Sequence, residues 1–215
     1  MIITKEINCF NNELVLTNQR ALFWKAENSL ILSDLHIGKS AHFQKSGIAI
    51  PSSILNKDLQ RLADLIFHFK ANKLIIVGDL FHADYNKDLD EFKQWLTAFK
   101  DLKIILVKGN HDRLLNSIYE DFNIEVHKTD LKIGTIKFVH DNVALEENYF
   151  SISGHIHPGV AIKTKGKQRI KLPCYQVTKQ QLILPAFSLF TGLNTRDFPE
   201  KCTNYAFTND AFFEL

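Results

Sequence analysis

Five segments end an apolar run on residue types that hold metal ions or move protons: "LILSDLHIGK", "LIIVGDLFH", "IILVKGNHD", "IKFVHD" and "FSISGHIHPG". Asp34 and His36 stand two residues apart, as do His155 and His157. In extended chain, residues i and i+2 point to one face, so each pair can grip one site. The segments contain His36, His111, His140, His155 and His157, with His82 at the end of the second, so six of the nine histidines lie in them. Carboxylate, imidazole and one amide oxygen together suit Mn, Fe or Zn and argue against a calcium or all-thiolate site. Any one segment also has a plain structural reading. A lone H-x-H arises by chance on a strand, and "GNHD" can be a turn followed by a helix cap. Five such segments in 215 residues make coincidence a poor account.

The elements that must position these residues alternate in the first half. Short extended stretches at Leu14–Leu16, Ala21–Trp24 and Leu30–Leu32 precede a helix opened by Pro51-Ser52-Ser53. Its apolar face is Leu55, Leu59, Leu62, Ile66 and Phe69, at i, i+3/i+4 spacing. "KLIIVGD" reads as a buried strand. A second helix carries Phe92, Trp95, Leu96 and Phe99 on one side, and "KIILVKGN" repeats the buried-strand pattern. Strand alternating with helix predicts βαβ units. After about Asp121 the texture turns to strands, expected at Ile133–Val139, Phe150–Ser153, Val160–Lys163, Arg169–Leu172 and Leu182–Leu184. A second sheet packed on the first is the expected result. The tail "TNYAFTNDAFFEL" gives only weak signals. No linker or repeat divides the chain, so one domain over 1–215 is expected. Open sheets build sites outside the carboxyl ends of their strands, so the five polar tips can converge there.

Composition narrows the function classes. The chain is 45% hydrophobic and 23% charged with net charge +2, so no strong overall field draws it to nucleic acid, and a local patch must do so. Cys9, Cys174 and Cys202 lack C-x-x-C pairing, which excludes a disulfide framework or zinc ribbon and suits a reducing compartment. Lys5 and Glu6 interrupt the apolar run a signal peptide would need, and no segment approaches the ~20 apolar residues that span a bilayer. A soluble, cytoplasmic protein without membrane association is expected.

The ordered set Asp34-Leu35-His36, Gly78-Asp79, Gly109-Asn110-His111-Asp112, His140 and Gly154-His155-Ile156-His157 resembles the calcineurin-like metallophosphoesterase superfamily. The strings "SDLHIGKSAHFQKSGIAIP", "GDLFHADYN" and "LPAFSLFTGLN" are similar to its ligase-associated DNA damage response endonuclease group. Asp141 after His140, where many members have glycine, departs from the pattern, as does Leu193, where a small residue is expected; neither is a ligand. The resemblance implies an α/β (α+β) fold, a four-layer αββα sandwich of two mixed β-sheets flanked by helices.

It also implies two divalent metal ions, Mn2+ foremost, with Fe or Zn as alternatives. Asp34, His36, Asp79 and His157 would hold one ion. Asp79, Asn110, His140 and His155 would hold the other, with Asp79 bridging. A carboxylate suits that bridge because it offers two oxygens, whereas imidazole offers one free lone pair. By resemblance His111 is catalytic, stabilising charge or protonating the leaving oxygen. Asp112 is expected to orient the His111 imidazole, with a helix cap as the alternative.

The activity so implied is a phosphodiesterase or endonuclease acting on DNA during repair, functionally associated with a DNA ligase, an exonuclease and a helicase. A phosphomonoesterase or nucleotide hydrolase on the same centre is the alternative within the enzyme class, and a non-catalytic scaffold is the alternative outside it. A metal-dependent amidohydrolase is rejected: there H-x-H leads on the first strand of a barrel of ~250 residues, whereas here it comes late in a shorter chain. His42, Lys45, His82 and Arg113 are candidate substrate contacts, although a loop histidine is as readily just solvated. Lys39, Lys108, Lys163, Lys165, Lys167, Arg169 and Lys171 can line a groove for a phosphate backbone or form a solvated hairpin. His68 and His127 read as ordinary surface or core residues.

Overall fold

The strands divide into two sheets, and the side chains along each strand divide between two cores. A computed structural model describes residues 1–45, 47–48, 53–82, 84–141, 145–163, 169–196, 199 and 201–215. The helix opening expected at Pro51 and Ser52, and the groove candidates Lys165 and Lys167, lie outside those residues.

The first sheet contains β1 (Thr4–Cys9), β2 (Asn12–Thr17), β3 (Leu22–Trp24), β4 (Ser29–Leu32), β5 (Lys73–Val77), β6 (Lys103–Val107) and β7 (Ile124–His127), in that spatial order. The pairs from β1 to β4 are antiparallel and those from β4 to β7 are parallel. The parallel part needs crossovers. Three of its connections contain α1 (Lys39–Lys45) with α2 (Ser53–Phe69), α3 (Lys87–Leu96), and α4 (Asn116–Asp121).

Period-2 geometry sends alternate residues of one strand to opposite faces. In β5, Leu74 and Ile76 face the helices, packing with Leu55, Leu59, Leu62, Phe92 and Tyr119. Ile75 and Val77 face the second sheet, with Trp24, Phe138, Ile152 and Tyr175. All four of these β5 side chains are fully buried, and burying each contributes roughly 1.5–3 kcal/mol. A strand buried on both faces has no polar register, which is why "LIIV" is uniformly apolar.

The second sheet uses β8 (Asp130–Ile133), β9 (Ile136–Val139), β10 (Phe150–Ser153), β12 (Arg169–Val177), β13 (Gln181–Ile183), β14 (Thr203–Phe207) and β15 (Phe212–Glu214), with β11 (Gly159–Lys163) paired to the first half of β12. Their order is β15-β14-β12-β13-β10-β9-β8. The pairs β9–β10 and β10–β13 are parallel, so this sheet is also mixed. The fold is therefore two mixed sheets packed face to face and flanked by helices. Among the described residues the helices all precede Phe122 and cover the first sheet. On the outer side of the second sheet lie buried polar groups such as Lys137, whose ammonium reaches Glu146 at 2.6 Å.

Three expectations change. The stretch Ile133–Val139 is not one strand but a hairpin, β8 and β9 paired Ile133↔Ile136 around Gly134 at φ 55°. Phe99 falls beyond the end of α3, although its ring still packs on Trp95 at 4.4 Å. Finally, β1, β7, β14 and β15 arise where no strand was expected.

Candidate metal centre

The parallel registers bring the polar tips together. Leu32 pairs with Ile76, and Val77 with Val107, so β4, β5 and β6 end in line and release residues 33–36, 78–82 and 108–112 along one edge. In the second sheet the parallel pairs of β10 with β9 and β13 release His140, Gly154–His157 and Ala186–Ser188 toward the same edge. Backbone bonds stitch the tips: Asp34 N–H to Gly78 O at 3.0 Å, His36 N–H to Asp79 O at 2.9 Å, and Gly154 N–H to His140 O at 3.1 Å.

Two groups of ligand atoms result. Asp34, His36 and His157 form one; Asp79, His140 and His155 form the other; within each, the atoms lie within 4.8 Å of one another. In the first, Asp34 Oδ1 is 3.1 Å from His157 Nε2 and 4.0 Å from His36 Nε2. These three atoms are buried and meet no partner in hydrogen-bond geometry among the described residues. Buried unpartnered acceptors converging on one point are what a cation would satisfy. In the second group His140 Nε2 lies 3.3 Å from Asp79 Oδ2 and equally 3.3 Å from Asn110 Oδ1, which adds the amide oxygen. The His140 Nδ1 meets the Val77 carbonyl at 2.9 Å, a contact that fixes the ring and leaves Nε2 for the site.

The spacing argument is right about one pair and wrong about the other. Asp34 and His36 do share a group, but His155 and His157 go to different groups. Neither pair is extended. Asp34, His36, Asp79, His155 and His157 all have left-handed backbone, with φ between 51° and 67°. Such conformations are uncommon for residues with a Cβ, and they persist only where surrounding contacts hold them. Gly109 has an ordinary φ; it matters for close approach, because a Cβ there would overlap the Asp79 carboxylate and backbone nitrogen. At Gly78 a Cβ would overlap the His140 ring.

The electrostatics suit a cation site. Burial would raise Asp34 and Asp79, but the neighbouring histidines, by close contact and charge, reverse that, holding Asp34 below its usual range and Asp79 at about 2. Burial drives His36 down to about 3, so its imidazole is neutral with a lone pair to give. Burial also opposes charge on His140, yet the Asp79 hydrogen bond and the Asp34 and Asp79 charges raise it to about 9. A proton there occupies the position a cation would take. Carboxylates, neutral imidazoles and an amide oxygen thus fit divalent ions of the Mn, Fe or Zn kind.

His111 donates its backbone N–H to Asp79 Oδ1 at 2.9 Å, and its ring meets that of His36 edge-on at 5.3 Å. The expectation for Asp112 is corrected. Its carboxylate accepts from the backbone of Phe81 at 3.0 Å and Gly109 at 2.9 Å rather than orienting the His111 ring. It caps no helix either, since Leu115 is the N-cap of α4. Burial pushes Asp112 up to about 6, with those backbone donors pulling the other way.

Of the candidate substrate contacts, His82 stacks on His111 at 4.7 Å, and His42 meets His82 at 5.8 Å. Arg113 is exposed and donates from Nε to the Asn110 carbonyl at 2.8 Å, steadying the loop. Lys45 stands exposed at the end of α1, with no hydrogen bond or ion pair to either ligand group among the described residues. Phe43 and Phe190 also reach the mouth: Phe43 stacks on His82 at 6.3 Å, and Lys39 lies 5.6 Å from the Phe190 ring. The aromatic spacing alone gave no sign of these two rings.

The two sheets and their paired ligand tips define a phosphoesterase class of fold and site, and comparison with known proteins agrees. The family model described as calcineurin-like phosphoesterase matches residues 28–180, and the chain belongs to that family. Over its length it is similar to the crystal structure of the Pseudomonas putida nuclease MPE, with 27% identity, TM-score 0.81, and 95% of this chain and 96% of that one covered. It also matches Yfce, a phosphoesterase from E. coli, at 17% identity and TM-score 0.45, covering 85% and 88%. No curated protein shows a significant match. Among the described residues no helix is long and apolar enough to cross a membrane.

Proposed function

We propose that this chain, taken as one domain, is a phosphodiesterase that cuts nucleic acid, with DNA as the expected substrate, repair as the setting and the cytoplasm as the compartment. The observation that supports it most is the pair of ligand groups meeting beneath His111, in a chain similar over 95% of its length to a nuclease.

Asp34, His36 and His157 would hold one divalent ion, and Asp79, Asn110, His140 and His155 the other, with Asp79 shared. When bound, the ions polarise phosphoryl oxygens and acidify a water at neutral pH. The rest falls to the side chains. Val77 O fixes the His140 ring. Asp112 ties the Gly109 turn to the Phe81 loop and acts as a positioning residue. His111 faces the phosphate, where it donates to the leaving oxygen or stabilises developing charge. His82 stacks beside it; His42, Lys45 and Arg113 are expected to meet the substrate backbone. Mn2+ is the expected ion, and functional association with a DNA ligase, an exonuclease and a helicase follows from the group resembled.

The test is a substrate panel run with Mn2+, Fe2+, Zn2+ and Mg2+. Bis(p-nitrophenyl) phosphate should be cut faster than the monoester, and labelled DNA should be cleaved with Mn2+. A strong monoester preference with intact DNA would move the function to a phosphomonoesterase.

A further inference from the structure

The loop after β13 touches the metal centre with one edge and a charged cluster with the other. Phe187 N–H donates to Ser33 O at 2.8 Å, and Ser188 N–H donates to Asp34 O at 3.2 Å. Further along, Asn194 N–H donates to His157 O at 2.9 Å. The last two of these contacts reach the Asp34, His36 and His157 group. The carbonyls of Asp79 and His140 instead accept from His36 and Gly154, outside this loop.

The opposite edge of the loop is held by three charged side chains from distant parts of the sequence. Arg20, in the β2–β3 turn, donates from Nη1 to the carbonyls of Ala186 at 3.2 Å and Ser188 at 2.9 Å. Arg61, on α2, donates from Nη2 to Phe187 O at 2.9 Å and Gln19 O at 3.0 Å, with its guanidinium 4.3 Å from the Phe187 ring. Its Nη1 bonds Asp58 Oδ1 at 2.8 Å, and the Asp58 carboxylate accepts the Leu189 N–H at 3.3 Å. Residues 186–189 are thus gripped one after another. Asp58 is 2% exposed and Phe187 fully buried, while the Arg61 side chain keeps 16% of its surface open, so water competes only at the rim of this contact. Buried charged pairs add little net stability, because desolvation offsets their attraction. Their effect is therefore expected in where the loop sits.

We propose that Arg20, Asp58 and Arg61 form a clamp of positioning residues that sets cation affinity chiefly at the Asp34, His36 and His157 group through the 186–194 loop, with a much smaller effect on the Asp79, His140 and His155 group, which Asp34 joins to it. This rests on the dinuclear reading above. A guanidinium suits the task because its planar fork spreads donors over separate nitrogens toward two carbonyls and a carboxylate, whereas a lysine gathers its three donors on one nitrogen.

The test is calorimetric titration of the metal-free full-length protein with Mn2+. His157→Ala and His155→Ala serve as references for the step belonging to each group. In Arg61→Met, the step lost in His157→Ala should weaken about tenfold or more, the scale for partners behind a ligand, with the other step within about twofold. Arg61→Lys should recover only part of the loss. Arg20→Gln, which removes only the bonds to Ala186 and Ser188, should weaken the same step and serves where Arg61→Met fails to fold. Equal weakening of both steps, or of neither, in the folded variants overturns the clamp. Fewer than two ions bound by the unsubstituted protein overturns instead the dinuclear reading on which it stands.

Discussion

The backbone N–H of His155 donates to Oδ2 of Asp34 across 3.1 Å, although the two residues belong to different ligand groups. Oδ1 of the same carboxylate faces His157 and His36. Asp34 therefore serves its own group directly and positions a ligand of the other through its second oxygen. This side chain couples the groups.

Asp34→Ala should accordingly weaken Mn2+ binding in both groups, the indirect loss being roughly tenfold. His36→Ala removes a ligand but leaves the bond to His155, and should weaken one group only. Elemental analysis after loading and dialysis separates them. Equal ion retention in the two variants would refute the coupling.

His111→Ala should bind both ions as the unsubstituted protein does and turn over diester ~10²-fold or more slowly, the scale of a lost acid or charge stabiliser. Steady-state kinetics at saturating Mn2+ gives the answer. Unchanged turnover removes the His111 side chain from the chemistry.

Gly109→Ala places a Cβ against Asp79, whereas Gly192→Ala points into open space. The first should cost at least tenfold in turnover, in keeping with a displaced ligand partner. The second should stay within about 0.5 kcal/mol in stability, as surface changes do. Activity assays and thermal melts of the pair form the check.

Burial pushes the Cys174 thiol up to about 12 and Cys9 to about 11, while Cys202 is only partly buried. An aromatic disulfide reagent at pH 8 should titrate Cys202 quickly in the native protein and all three thiols after denaturation. The sign for stability follows: the unfolded thiols ionise first, near the ordinary 9.0, so this contribution is intact below that pH. It is lost progressively as pH rises toward the folded values. Rapid native labelling of Cys174 would contradict the burial.

The ligand residues were legible because each ends a buried strand, where a polar residue after four apolar ones has few other reasons to be. Their backbone was not legible. The i, i+2 rule assumes extension, and loops held by contacts between sheets override it at Asp34 and His155. Asp112 was misread because its partners, Phe81 and Gly109, are backbone amides that carry no mark in the sequence. Arg61 and Asp58 drew no attention in the sequence, since a helical i, i+3 charge pair is normally exposed. The strands β1 and β14 escaped notice because much of each lies near a sheet margin with polar residues half-exposed. Hydrophobic alternation fades where a strand at the margin sends few large apolar side chains into the core.

The left-handed backbone at five ligand positions has a consequence for timing. Each such residue costs on the order of 1–3 kcal/mol, which backbone contacts such as Asp34 N–H to Gly78 O and His36 N–H to Asp79 O help to offset. A receptor held in shape by such contacts is expected to let an incoming ion dock rather than sculpt. Loading should then be a fast bimolecular event, with no slow rearrangement following it.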